Sequence, residues 1–163
     1  MGGELAVTSE VTKGSTFTVR LLLPNLGIGE KPVQQDTVVG YSGKRKHILV
    51  VDDNSDHRML VTSILSPLGF RVMQAACGED CLSFMQKNTV DLILLDLFMP
   101  GLGGIQTAQA LRERNNNTPI IVLSANAYPT DRVQAINAGC NDFLIKPLMV
   151  SDLFYKLKLH LDV

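Results

Sequence analysis

The sequence predicts an α/β fold, a doubly wound five-stranded parallel sheet with a short β-hairpin ahead of it. Three observations support this fold class. Strand-like and helix-like patterns alternate from residue 46 onward, two alternating segments precede them, and a region rich in glycine and proline separates the two parts. Since helices between short strands favour right-handed crossovers, we expect helices to cover both faces of the sheet.

The first 23 residues contain two segments whose apolar residues alternate with polar ones. One face of each candidate strand holds Leu5, Val7 and Ser9, or Phe17, Val19 and Leu21. The residues VTKG lie between the segments and form the predicted turn. Because a lone hairpin is only marginally stable in water, we expect this one to belong to a larger sheet or to pack on the rest of the chain.

Residues 24–45 form a predicted linker. They contain two prolines and four glycines among polar residues, without a sustained helical or alternating period. The linker leaves a body over residues 46–163, and only this body is long enough to bury its own core.

The body supplies the strands and helices of the predicted sheet. The strands are KHILVV (46–51), FRVMQA (70–75), VDLILL (90–95), PIIVLS (119–124) and DFLIK (142–146). Apolar residues repeat every fourth position in two helical patterns, at Leu60, Ile64 and Leu68 within 55–68 and at Leu153, Leu157 and Leu161 within 150–161. Gly69 and Gly139 follow two helices at the usual C-terminal stop position.

Composition excludes several classes of protein. Fifteen Lys plus Arg against sixteen Asp plus Glu give a net charge of -1, which does not favour binding to nucleic acid. Three cysteines without paired spacing indicate neither a zinc site nor a disulfide framework, so reduced cytosolic thiols are expected. No apolar stretch approaches the roughly 20 residues that span a bilayer. We therefore expect a soluble, cytoplasmic chain, and leave open whether a longer parent is membrane-anchored.

Polar side chains end four of the predicted strands. Asp52 and Asp53 follow the first strand, Asp96 the third and Ser124 the fourth, and Lys146 ends the fifth. Ligands of open parallel sheets gather at the carboxyl ends of the strands, near the point where strand order reverses. Three carboxylates, a hydroxyl and an ammonium are therefore predicted to face one crevice.

These groups together favour phosphoryl chemistry with Mg²⁺. Clustered carboxylates repel one another unless a cation joins them, and Mg²⁺ prefers hard oxygen ligands. Lys146 adds a point charge suited to a phosphoryl group, and a carboxylate such as Asp96 can act as a nucleophile that forms an aspartyl phosphate. Phosphoryl transfer depends mainly on positioning and charge neutralisation, to which Ser124 could also contribute.

Each of these residues also has a purely structural interpretation. The aspartate pair could cap the next helix, although Asn54 or Ser55 could do so instead. Asp96 alone could form an Asx-turn, Ser124 alone could be a turn residue, and Lys146 alone could be a solvated charge. The coincidence of polar residues at four strand ends favours a functional site.

The motifs ILVVDDN, LILLDLFMPGLGG, IIVLSANA and GCNDFLIKP resemble, in order, the receiver domain of two-component response regulators across residues 46–162. The resemblance implies a flavodoxin-like sheet of strand order 2-1-3-4-5. It further implies that Asp96 accepts a phosphoryl group from a phosphohistidine, on the parent kinase or on a histidine phosphotransfer domain.

The same resemblance assigns roles to the predicted site. Asp53 and Asp96 would bind Mg²⁺ together with the backbone carbonyl of Phe98, and Asp52 would assist through a bound water. Lys146 would be the phosphate clamp, joined to Pro147 by a cis peptide bond.

Two residues would form the switch in such a domain. Ser124 would be drawn to the phosphoryl group, and Phe143 would be the aromatic residue that turns inward with it. The segments PTDRVQAINAG and LFYKLKLHL would contribute to an output surface, and plain amphipathic packing is the alternative explanation for their patterns.

The head, MGGELAVTSEVTKGSTFTVRLLLP, resembles the last two strands of the ATP-binding domain of sensor histidine kinases, with Gly14, Ser15 and Thr16 at its closing motif. Head, linker and body together look like the C-terminal piece of a hybrid histidine kinase. Since the nucleotide and phospho-histidine motifs of such kinases are missing from this sequence, we do not expect it to bind ATP. Whether self-catalysed phosphorylation and dephosphorylation make it an enzyme is left open.

Two alternatives compete with a phospho-acceptor. The first is a docking module that binds a kinase or a histidine phosphotransfer partner without being phosphorylated. The presence of all three aspartates of the predicted site argues against this alternative. The second is an aspartyl-phosphate hydrolase of a different fold. Such enzymes resemble a pattern with a second Asp two residues after the nucleophile, where this chain has Phe98.

Two departures from the family pattern are visible. Gly103 stands where the family often has Asp, which leaves the cap of the third helix open. His57 stands where hybrid kinases often have Asn, and we expect it to be a surface residue near the site. A second role for His57 in proton or metal chemistry is the less favoured alternative.

Phe98, two residues after the predicted acceptor, is expected to slow attack by water and so to lengthen the phosphorylated state. Replacing it with the smaller, polar asparagine (Phe98→Asn) should shorten the half-life of phospho-Asp96. The decay of the phosphorylated protein measures this, and an unchanged half-life would contradict the expectation.

Overall fold

The computed structural model describes residues 3–10, 14–21, 43–125 and 128–161. The chain divides into two compact units, Met1–Thr37 and Val38–Val163. In the first unit, β1 (Gly3–Glu10) pairs antiparallel with β2 (Gly14–Leu21), so that Gly3 lies opposite Leu21 and Glu10 opposite Gly14. The predicted hairpin is therefore present, although most of its predicted VTKG turn lies outside the described residues.

The second unit contains a parallel sheet with helices between its strands. Its strands are β3 (His47–Val51), β4 (Arg71–Ala75), β5 (Leu92–Asp96), β6 (Ile120–Ser124) and β7 (Asp142–Ile145). Its helices are α1 (Ser55–Leu65, followed by a 3-10 turn over Ser66–Leu68), α2 (Gly78–Lys87), α3 (Gly104–Glu113), α4 (Pro129–Asn137) and α5 (Val150–Leu161). The strand order is β4-β3-β5-β6-β7, which confirms the predicted order 2-1-3-4-5.

The register of the sheet brings the ends of its strands to one edge. Val51 pairs with Leu95, and Asp96, one residue further along β5, pairs with Leu123. Ser124 pairs with Ile145, the last residue of β7. Residues that follow Val51 and Ile145 therefore emerge at the same edge as Asp96 and Ser124.

Two hydrophobic cores lie on opposite faces of this sheet, because successive strand residues point to opposite sides. One core combines Leu49, Val51, Ile93, Leu95, Ile120 and Val122 with residues of α2, α3 and α4. The other combines Ile48, Val50, Leu92, Leu94, Ile121 and Leu123 with residues of α1 and α5. Burial on both faces explains why the central strands are continuous apolar runs.

The helix predicted over 55–68 is present as α1, but the residues of its apolar repeat are not the ones that are fully buried. Its fully buried side chains are Val61 and Leu65, whereas Leu60 is 53% exposed and Ile64 is only partly buried. A repeat of four residues drifts around a helix of 3.6 residues per turn, so counting every fourth position traced the edge of the buried stripe instead of its centre. In α5 the predicted Leu153, Leu157 and Leu161 are all buried.

The predicted helix stops at Gly69 and Gly139 are confirmed. Both residues have left-handed backbone conformations, with φ of 98° and 91°, which glycine adopts without steric cost. Among the helices of the described residues, none is long and apolar enough to cross a membrane.

Asp142 links the start of β7 to α5. Its carboxylate accepts hydrogen bonds from Lys156 Nζ at 2.8 Å, from His160 Nε2 at 3.2 Å and from the Phe143 backbone N–H at 2.8 Å. Burial would raise the pKa of Asp142, but the hydrogen bonds from Lys156, Phe143 and His160 outweigh it and hold the pKa below the usual range. The ionised carboxylate therefore stabilises the fold.

A pH-dependent loss of stability follows. Because the pKa of Asp142 is lower in the folded than in the unfolded state, its contribution is complete above the unfolded value of about 3.9 and disappears as the pH falls through the folded value. Asp142→Asn should lower the free energy of unfolding by about 1–3 kcal/mol at pH 7, with a smaller difference below pH 4. Urea unfolding from pH 7 to pH 3 measures this difference, with exposed Glu113→Gln as the control. A difference independent of pH would contradict the assignment.

Candidate functional site

Asp52 and Asp53 lie in the turn between β3 and α1. Asp52 is fully buried, and its Oδ1 accepts a hydrogen bond from the Asn54 backbone N–H at 2.9 Å. The Asn54 side chain caps α1 by accepting from the backbone N–H groups of Asp56 and His57. Since Asn54 performs the capping, the aspartate pair is not needed for it.

Arg58, a residue of α1, stabilises the same turn through hydrogen bonds. Its guanidinium donates to the backbone carbonyl oxygen of Asp52 at 2.6 Å and to that of Asp53 at 3.1 Å. Sequence reasoning missed this residue. The sequence feature that could have indicated its role is its position. An arginine in the first turn of a helix that follows two aspartates can extend back to the turn that holds them.

Lys146 joins two strand ends directly. Its Nζ lies 2.7 Å from Asp52 Oδ2 and 3.1 Å from Asp96 Oδ1, and its side chain is only 16% exposed. Its backbone N–H donates to the Ser124 carbonyl oxygen at 2.7 Å, which fixes the end of β7 against β6. The peptide bond from Lys146 to Pro147 is cis, as the resemblance implied.

Asp96 ends β5 and is 6% exposed. Burial raises its pKa and outweighs the opposing effect of the Lys146 ammonium, while the nearby Asp52 carboxylate raises the pKa further. The ionised form of Asp96 therefore depends on a neighbouring cation. Its surroundings are close-packed, because a Cβ on Gly104 would lie 2.3 Å from the Asp96 carbonyl oxygen.

Three carboxylates converge in this pocket. Asp52, Asp53 and Asp96 each offer an oxygen, and these oxygens lie within 4.8 Å of one another. A set of hard anionic oxygen donors fits Mg²⁺, which is commonly held by one or two carboxylates and by water. Asp53 is exposed, so solvent reaches the cluster from its side.

The other predicted residues lie around this pocket. Ser124 is fully buried at the end of β6, and Phe143 is 8% exposed and packs in the core shared by α2, α3 and α4. Phe98 is 55% exposed. That the Phe98 carbonyl binds a metal remains a prediction. Gly103 is the N-cap residue of α3 and provides no side-chain hydrogen bond, which answers the open question about the cap of that helix.

His57 lies at the surface beside the site, as expected from the sequence. Its Nδ1 is 3.2 Å from Asp52 Oδ2, and its side chain is 46% exposed. The spacing of five residues between Asp52 and His57 did not reveal this contact, because it depends on how the turn enters α1. His160 lies outside this site and bonds to Asp142.

Comparison with known proteins agrees with this geometry. The model of the response regulator receiver domain family matches residues 48–158. The transcriptional regulatory protein PrrA of Mycobacterium bovis is 39% identical over 111 residues, which cover 68% of this chain and 48% of PrrA. The sensor protein EvgS of Escherichia coli O157:H7 is 31% identical over 165 residues, 99% of this chain and 13% of EvgS. The chain thus spans half or less of the length of these relatives.

Solved structures show the same fold. The chemotaxis protein CheY4 of Vibrio cholerae superposes with a TM-score of 0.68 at 29% identity, covering 72% of this chain and 99% of CheY4. A putative response regulator from Chloroflexus aurantiacus superposes with a TM-score of 0.70 at 30% identity, covering 74% of this chain and all of that one. With its CheY-like sheet and its acidic pocket at the strand ends, the chain belongs to the response regulator receiver domain family of two-component systems.

Proposed function

We propose that this chain is the phosphoryl-accepting receiver domain of a hybrid histidine kinase and that Asp96 is its acceptor. The observation that carries the proposal is the position of the Asp96 carboxylate, which contacts Lys146 Nζ at 3.1 Å inside a cluster of three aspartates. An aspartate with a purely structural role needs only one hydrogen-bond or ion-pair partner. Here a carboxylate that can act as a nucleophile lies beside a buried lysine and two further carboxylates that could bind a metal ion.

In the proposed reaction an Asp96 oxygen attacks the phosphorus of a phosphohistidine in line. A P–O bond forms as the P–N bond breaks, and the electron pair of that bond returns to the imidazole, which takes up a proton from solvent. Asp53 and Asp96 would hold Mg²⁺ with the Phe98 carbonyl, and Asp52 would assist through a water. The ion would neutralise charge on the phosphoryl oxygens. Lys146 would favour the ionised form of Asp96 against the effect of burial before transfer, and would stabilise the charge of the product after it.

We further propose that the product biases a switch between two arrangements of the domain. Ser124 is held beside Lys146 through the backbone and can turn its hydroxyl toward the phosphoryl group. Phe143 is already buried, so the change would concern its packing in the core instead of its entry from solvent. The output surface would be the face of α4, β7 and α5 that exposes Val133, Ile136, Ile145, Tyr155 and Leu159.

The hybrid-kinase origin is supported by the match to EvgS, a sensor protein, because that match includes the segment ahead of the receiver domain. Under this proposal residues 1–23 are the end of a kinase ATP-binding domain, 24–45 the linker and 46–163 the receiver domain. The phosphodonor would be the phosphohistidine of the parent kinase or of a histidine phosphotransfer domain, and the site of action the cytoplasm.

A test of the acceptor assignment uses a small phosphodonor with Mg²⁺. The protein should gain the mass of one phosphoryl group, as an acyl phosphate that hydroxylamine removes, and Asp96→Asn should gain none. Asp91→Asn is the matched control, since Asp91 lies beyond the opposite end of β5 and bonds to the His47 backbone. Intact-mass spectrometry measures the gain.

The alternative docking module predicts a different result. If the wild-type protein binds a histidine phosphotransfer domain but gains no mass from the donor, the docking function holds and the proposal is wrong. Equal mass gain in Asp96→Asn would place the acceptor on another residue.

A further inference from the structure

Glu79 connects the start of α2 to the loop that follows Asp96. Its Oε1 accepts a hydrogen bond from the Leu102 backbone N–H at 3.2 Å, although the two residues are 23 positions apart in the sequence. We propose that Glu79 is a positioning residue of the proposed metal site, because this hydrogen bond holds the loop whose Phe98 carbonyl would bind Mg²⁺. This inference rests on the proposed function.

The loop over residues 97–103 joins β5 to α3 and is fixed at both of its ends. At its start, the Leu97 backbone N–H donates to the Leu123 carbonyl oxygen of β6 at 2.9 Å. At its end, the Thr107 hydroxyl of α3 donates to the Gly103 carbonyl oxygen at 2.8 Å. What lies between these two contacts determines where the Phe98 carbonyl points.

The middle of the loop is less buried than its start. Met99 packs in the core, whereas Pro100 and Gly101 are exposed. The hydrogen bond to Glu79 comes directly after this exposed turn. Glu79 therefore attaches to α2 a part of the loop that the core does not hold.

The first turn of α2 packs directly against the loop. A Cβ on Gly78 would clash with the Thr107 hydroxyl and lie 2.5 Å from the Leu102 carbonyl oxygen. A Cβ on Gly101 would lie 3.2 Å from Oε1 of Glu79, the same atom that accepts from Leu102. The Glu79 carboxylate therefore lies against two consecutive residues of the loop.

The Glu79 carboxylate is itself held in place at the start of α2. Hydrogen bonds from its own backbone N–H, from the Cys77 thiol and from the Leu102 N–H lower its pKa, against the opposing effect of burial. An ionised carboxylate only accepts hydrogen bonds, and bonds to a charged acceptor are stronger than bonds between neutral groups. Because two of its donors belong to α2, the carboxylate offers the loop an acceptor in a fixed position.

Loss of this contact should weaken the binding of Mg²⁺. The ion demands nearly ideal octahedral geometry, so its affinity is sensitive to small displacements of a ligand. Groups that orient a metal ligand directly typically contribute about 10–100-fold to affinity. Glu79 acts four residues beyond Phe98, and Met99 holds the intervening backbone in the core, so we expect a smaller loss of about fivefold.

Four variants separate the reach of the side chain from its charge. Glu79→Ala removes both, and Glu79→Asp keeps the charge but is one methylene shorter, so each should raise the Kd for Mg²⁺ about fivefold. Glu79→Gln keeps an oxygen acceptor at the same reach and should stay within about twofold of wild type. Asp80→Ala is the matched control, because it removes a charge from the same turn of α2 and leaves the contact to Leu102 in place. Thermal unfolding of each variant shows that the fold is retained.

Phosphorylation by a small phosphodonor provides a second readout. Glu79→Ala and Glu79→Asp should gain mass more slowly than wild type at limiting Mg²⁺ and at the wild-type rate at saturating Mg²⁺. This difference follows because the affinity for the ion changes while Asp96 and Lys146 do not. A merely structural loss would not be corrected by adding the ion.

Amide hydrogen exchange of Leu102 measures the contact without any metal. Exchange should be faster in Glu79→Ala and Glu79→Asp than in wild type, Glu79→Gln or Asp80→Ala. Unchanged exchange or an unchanged Kd for Mg²⁺ in both Glu79→Ala and Glu79→Asp would overturn this inference. An equal loss of affinity in Glu79→Gln or Asp80→Ala would also overturn it, since charge alone would then explain the effect. Failure of the wild type to bind Mg²⁺ or to gain mass would instead overturn the proposed function.

Discussion

The ion pair of Lys146 with Asp52 and Asp96 is the interaction on which the site depends. The side chains of both aspartates are less than 10% exposed, so without a cation each would be a buried charge. Removing one partner of a buried ion pair typically costs about 3–5 kcal/mol, because the remaining charge is left without compensation. Asp52 follows β3, Asp96 ends β5 and Lys146 follows β7, so the contact requires the ends of three strands to lie at one edge. The strand order and register satisfy that requirement.

The surrounding residues hold these charges in a geometry that can be used chemically. Asn54 caps α1 and leaves both aspartates available, while Arg58 binds the backbone carbonyls of the turn that carries them. A turn fixed by its neighbours positions the carboxylates before any ligand arrives. A side chain on Gly104 would clash with the Asp96 carbonyl oxygen. Because glycine has no side chain, α3 can begin directly against the end of β5. The position of the site is therefore determined by where the strands end at one edge of the sheet, and not by a single loop.

Sequence reasoning predicted the sheet and the pocket because both depend on local patterns. Apolar runs marked strands buried on two faces, and the topology rule for parallel sheets brought Asp52, Asp96 and Lys146 together. The face of α1 was less predictable, since the direction of a helix is set by the strands beneath it. The contacts of Arg58, and the contact of His57 with Asp52, were not predicted for the same reason. Their contacts arise from the turn between β3 and α1, whose path the residue spacing does not reveal.

Lys146 neutralises carboxylate charge in the acidic pocket that a bound metal ion would also neutralise. The most direct measurement is the increase in melting temperature that saturating Mg²⁺ produces in wild type, Lys146→Met and the control Lys156→Met. Lys156 also pairs with a buried aspartate, but in the Asp142 cluster, away from the pocket. A ligand that binds only the folded state stabilises it by RT ln(1 + [L]/Kd), so tighter binding gives a larger increase at the same ligand concentration. Because the ammonium and the ion would compete for the same carboxylates, Mg²⁺ should stabilise Lys146→Met more than it stabilises wild type or Lys156→Met. An equal increase in all three proteins would contradict it.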